Sequence, residues 1–83
     1  MDIHHLVKMA NDIGAFFESD PDTAKGAQSV ATHLRKFWDP RMRREIFLYL
    51  DRENGTGLKD LVLQALRTHR NDLDPTKYSA SLK

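Results

Sequence analysis

Apolar residues recur at three- and four-residue spacings in four stretches of the chain. No stretch alternates with the period of two that marks a strand. In the first, Ile3, Leu6, Val7, Ala10, Ile13, Gly14 and Phe17 share one side, and Lys8, Asn11, Asp12 and Ala15 fall on the other. Asp2 stands where an N-cap belongs, its carboxylate able to accept a free backbone N–H of the first turn. Gly14 lies one turn after Ala10, and a glycine inside a helix costs about 1 kcal/mol relative to alanine. Close approach of a second helix at that point would account for it.

Ser19-Asp20-Pro21-Asp22 breaks the pattern. Asp20 as N-cap with Pro21 at the first helical position predicts the start of the second helix, because proline there gives up no needed donor. The buried side of this helix should be Ala27, Val30, Ala31, Leu34 and Trp38, with Phe37 at its edge. Asp39-Pro40 repeats the device: Pro40 disfavours helical geometry at Asp39, which can then cap a third helix. Met42, Ile46, Tyr49 and Leu50 form the main apolar face of that helix.

Asn54-Gly55-Thr56-Gly57 is a strong break, with an Asn-Gly turn signal. A fourth helix follows, with Leu58, Leu61, Val62, Ala65 and Leu66 on one side and Lys59, Gln64 and Arg67 off it. From Arg70 the periodicity dissolves. Asn71, Asp72, Asp74, Pro75, Ser79 and Ser81 promise little burial, which predicts a mobile tail. The expected fold is therefore all-α: a small irregular bundle of about four helices over residues 1–69, then a flexible C-terminal tail over 70–83.

Size bears on how such a bundle holds together. A chain of 83 residues makes one domain, and small domains often lean on disulfides, metals or partners. It has no cysteine, so disulfides and thiolate metal sites are excluded, which leaves helix packing or a partner. Thirteen basic residues against twelve acidic ones give a net charge of +1, too little for a global field toward nucleic acid or a membrane surface. The Met1-Asp2-Ile3-His4-His5 opening has neither the basic segment nor the apolar run of a signal peptide. The longest apolar stretch, Ile46 to Leu50, is far short of a membrane span. The expectation is a soluble, cytoplasmic protein.

Chemistry is sparse. Asp2, Asp20 and Asp39 read as helix caps, and Asp12, Glu18, Asp22 and Glu45 as helix-surface residues, so no pair forms an acid–base couple. His4 and His5 are adjacent and would point about 100° apart on a helix, whereas helical metal ligands need i, i+3 or i, i+4 spacing. His33 and His69 have no such partner. No catalytic residue, resident cofactor or metal is expected.

The most informative stretch is His33 to Asp51. Arg35, Lys36, Arg41, Arg43 and Arg44 gather around one acid, Asp39, with Phe37 and Trp38 among them. Nucleic-acid binding, an ordinary solvated face and a protein interface are three readings of such a cluster. Phe47 and Leu48 fall outside the main apolar sector of the third helix, on different sides. A helix apolar nearly all round is central or covered by something else, and four helices can hardly surround one of their number. An exposed patch that wants a partner is the favoured inference, with Phe37, Trp38, Arg41, Arg43, Arg44, Phe47 and Leu48 as its contact region. Trp38 has a second reading, as core. A small nucleic-acid-binding or regulatory protein using residues 35–44 is the alternative function, and self-association through the patch is a third.

The run from Met1 to Phe17, His33-Leu34-Arg35-Lys36-Phe37-Trp38-Asp39-Pro40-Arg41-Met42-Arg43, and Gly57-Leu58 with Leu61-Val62 and Ala65-Leu66 together resemble one family. It is the delta subunit of soluble bacterial NAD-dependent formate dehydrogenases. The Phe37-to-Arg43 block is the specific part, and the likeness spans roughly residues 3–67. The resemblance implies a non-catalytic accessory subunit that binds the large alpha subunit and supports assembly, stability or cofactor maturation. In such complexes the partner subunits carry a molybdenum or tungsten bis-pterin, iron–sulfur clusters and FMN, and this chain carries none of them. A maturation chaperone is a further partner that the resemblance leaves open; nucleic acid and membrane are not implied.

Overall fold

The computed structural model describes residues 2–75. Among them are helices α1 (Ile3–Phe17), α2 (Thr23–Phe37), α3 (Pro40–Glu53), α4 (Asp60–Thr68) and α5 (Arg70–Leu73), with no strand. Helix α2 packs most extensively against α4 and also meets α1 and α5, while α3 packs on α1. Helix α1 touches α2, α3 and α4, and α5 closes the end of the α2–α4 pair.

Local chemistry sets most boundaries. Asp2 accepts from the His4 N–H at 2.9 Å and starts α1. Asp39 accepts from the Met42 N–H at 3.0 Å, with Pro40 at the first position of α3. Asn54, in the left-handed region at φ 56°, ends that helix.

The start of α2 differs from the expectation at Asp20 and Pro21. Asp22 is the cap, accepting from the Ala24 and Lys25 N–H groups, and the helix begins at Thr23. Asp20 instead accepts from the N–H of Asp22 at 2.9 Å. The two aspartates thus divide the work around Pro21: the first closes the turn and the second caps the helix.

The core contains the faces expected of α2 and α4. Ala27, Val30, Ala31, Leu34 and Trp38 are buried, as are Leu58, Leu61, Val62, Ala65 and Leu66. Gly14 is where α1 and α4 approach: a Cβ there would come within 2.7 Å of Val62 Cγ2. A different device fixes the approach to α4, because Lys59 makes no side-chain cap. The Asn11 amide on α1 donates to the Gly57 carbonyl and accepts from the Lys59 N–H, both at 2.9 Å. A side chain 48 residues upstream therefore holds the loop that launches α4.

Packed structure continues past residue 69. Helix α5 buries Leu73, 1% exposed, and the Asp74 side chain is 2% exposed. Residues 70–74 were expected to begin the tail because their polar sequence shows no apolar period. Long-range polar contacts hold them instead. Arg70 forms two bonds to the Asp51 carboxylate on α3, at 2.8 and 2.7 Å, bonds Asp74 at 2.9 Å, and lies 5.0 Å over the Phe47 ring. The remainder of the expected tail, 76–83 with Ser79 and Ser81, lies outside the described residues.

Candidate functional site

The seven contact residues expected from the sequence separate into two groups. Trp38 and Phe47 are core, 5% and 2% exposed. For Trp38, the core reading is the one the structure has. For Phe47 the reason is α5: Arg70 roofs the ring with its guanidinium, so the side of α3 that had no expected cover is covered from within the chain. Arg43 also turns inward, donating from Nη1 to the Leu73 carbonyl at 3.2 Å. Its Nε is buried with no hydrogen-bond partner among the described residues. This arginine satisfies a carbonyl at the end of α5 and is withdrawn from the basic cluster.

Phe37, Arg41, Arg44 and Leu48 remain accessible. Leu48 is half-buried and lines an open groove of about 470 Å³ with Ile3, His4, Glu45, Tyr49 and Arg52. The Tyr49 hydroxyl next to it donates to the Thr56 carbonyl, tying α3 to the following loop. Phe37 lies elsewhere, at the C-terminal end of α2, 69% exposed.

A more conspicuous surface feature joins Phe37 to α1. Phe16, 76% exposed, stands edge-on to Phe17 with centroids 5.0 Å apart. Phe17 faces His33 at 6.5 Å, and His33 faces Phe37 at 4.7 Å. Four rings from two helices thus form one continuous ridge. Phe17 is packed partly against the core, which anchors the ridge while its two ends stand in solvent. Sequence reasoning placed Phe17 and Phe37 on helix faces but missed Phe16. Its signal was present: Phe16 follows the last polar positions of α1 and falls off the Ile13–Phe17 side.

Ion pairs on the surface have structural partners. Lys8 pairs with Asp12 at 3.2 Å, and Lys59 with Glu18 at 3.3 Å. Hydrogen bonding to Arg70, opposed by some desolvation, holds the Asp51 carboxyl below the usual aspartate range. The same contacts raise the pKa of the Arg70 guanidinium, so this clamp is charged at any physiological pH. No group of three His, Asp or Glu side chains converges to hold a metal among the described residues. Nor is any described helix long and apolar enough to cross a membrane.

Comparison with curated proteins and with solved structures found no match. Comparison with family models matched residues 5–66 to FdsD, the NADH-dependent formate dehydrogenase delta subunit. The match runs from the first turn of α1 to the last buried leucine of α4. The chain belongs to this family.

Proposed function

We propose that this delta subunit is a non-catalytic accessory subunit that binds the large alpha subunit of a formate dehydrogenase. There it supports assembly, stability or maturation of the alpha subunit's molybdenum or tungsten bis-pterin centre. The observation that carries this reading is the extent of the family match: residues 5–66 contain the interlocked core of α1 to α4. What the family shares is thus a packed framework. The chain's own chemistry agrees with a binding role. It has no cysteine to ligate an iron–sulfur cluster, and the Asn11 and Arg70 side chains are spent on holding helices together.

A framework of this kind acts by presenting side chains in fixed positions, so little ordering entropy is lost on docking. Cofactors and catalysis stay with the partner subunits, and the assembled complex works in the cytoplasm. The test is co-expression of the tagged alpha subunit with and without this chain, followed by co-purification and metal analysis of the alpha subunit. The expected result is stoichiometric recovery of the chain. Without it, the alpha subunit should lose yield or metal content. A chain that is not recovered, with an alpha subunit equally abundant and equally metallated without it, would refute the reading.

A further inference from the structure

We infer that the ridge of Phe16, Phe17, His33 and Phe37 is the docking surface, and that it takes an acidic, apolar segment of the partner polypeptide. This rests on the accessory-subunit reading above and adds to it a location and a partner chemistry.

Exposure is the first argument. Among the described residues, Phe16 and Phe37 are the large apolar side chains left mostly in solvent, at 76% and 69%, although the domain buries a tryptophan and another phenylalanine completely enough for a core. Two shallow grooves flank the ridge. One of about 370 Å³ runs along Phe17, His33, Lys36 and Phe37, and one of about 300 Å³ along Ile13, Phe16 and Phe17. Projecting aromatics beside grooves are what an interface core uses as anchors.

Charge decides the occupant. Asp12 and Glu18 are paired with Lys8 and Lys59, and between residues 35 and 45 five cations stand against two acids, Asp39 and Glu45. Lys36 lines the groove beside Phe37, and Arg35 lines the next one, which shares Gln28 and Thr32 with it. Neither forms an ion pair among the described residues, although Asp72 lines the Arg35 groove, and exposed Arg41 and Arg44 carry the positive excess beyond the α2–α3 turn. The rim therefore attracts carboxylates while the ridge attracts apolar side chains. A second copy docking through the same ridge would set this basic rim against its own like charge. Nucleic acid would want flat, open ring faces on which bases stack. Here Phe16, Phe17 and His33 meet edge-to-face at 88° and 63°, and His33 and Phe37 are tilted by 44°.

The experiment compares full-length variants for binding to the alpha subunit, with helicity checked by circular dichroism. Phe16→Ser with Phe37→Ser should keep its helicity, since both rings are exposed, and weaken binding about tenfold or more. Lys36→Glu should weaken it several-fold, most at low salt. Leu48→Ser, in the separate groove, should bind like wild type. A photo-crosslinker in place of Phe37 should capture an alpha-subunit peptide rich in Asp or Glu and apolar residues. Wild-type recovery with unchanged binding of both ridge variants would overturn this inference alone, as would a crosslink to a second copy, to nucleic acid or to a peptide without acids. Failure of the wild-type chain to bind the alpha subunit would overturn the proposed function and this inference with it.

Discussion

Arg70→Met should cost a large share of the stability of this small domain. The substitution keeps a flexible apolar side chain over Phe47 and removes the guanidinium. Three interactions go. The pair with Asp74 matters most, because that carboxylate is 2% exposed. Removing one partner of a fully buried pair costs about 3–5 kcal/mol, and the 29% exposure of the Arg70 side chain brings this to about 2–3 kcal/mol by solvent screening. The pair with Asp51, 49% exposed, adds about 0.5–1 kcal/mol. The contact with the Phe47 ring at 5.0 Å adds about 0.5 kcal/mol.

The total is about 3–4.5 kcal/mol. A chain of this length is stable by about 4–12 kcal/mol, so the variant should melt about 12–36 °C lower. Urea denaturation followed by helix ellipticity measures the change, with thermal melting as a second readout. Asp51→Asn gives the internal comparison and should cost no more than about 1 kcal/mol, because its carboxylate is half in water. An Arg70→Met penalty below about 1 kcal/mol, or an Asp51→Asn penalty equal to it, would refute the claim that the buried Asp74 pair dominates.

Acid should weaken the same clamp. The folded state holds the Asp51 carboxyl below its ordinary value of 3.8, so its stabilisation is fully present above that value and is lost as pH falls through the lower, folded one. Urea midpoints at pH 6 and pH 3 should therefore fall less steeply in Arg70→Met than in wild type. At Gly14, alanine brings a helix-propensity gain of about 1 kcal/mol against a Cβ placed 2.7 Å from Val62 Cγ2. Val62 is fully buried, so something in the packed core must shift, and overpacking of this kind costs about 1–3 kcal/mol. Gly14→Ala should be net destabilising, and less so, or stabilising, in a Val62→Ala background; an additive double-mutant cycle would contradict this. Asn11→Ala removes both bonds to the α4 entry loop and should cost about 1–2 kcal/mol, with faster amide exchange at Lys59 as its local signature.

The basic cluster shows how a correct composition can mislead about a surface. Five cations between residues 35 and 44 read as one patch, but Arg43 turns inward to the Leu73 carbonyl and Phe47 disappears beneath Arg70. Both misplacements have one origin. The cover comes from a short helix whose polar sequence carries no apolar period, so nothing local to α3 announces it. The docking ridge was half legible: Phe37 stood at the edge of its helix, yet its neighbours in space, Phe16, Phe17 and His33, come from other turns and another helix.

By itself the sequence determined the helices of α1 to α4, most of their limits and most of their buried faces. Those features rest on short-range physics: the 3.6-residue period, aspartate caps, proline at a helix start and glycine at the α3–α4 break. Tertiary structure alone decided which aspartate caps α2, how Asn11 launches α4, that residues 70–74 join the core, and which aromatics meet in solvent. Each of these depends on which side chains compete for one backbone group, or on contacts between residues far apart in the chain. Such contacts exist only once the helices have packed.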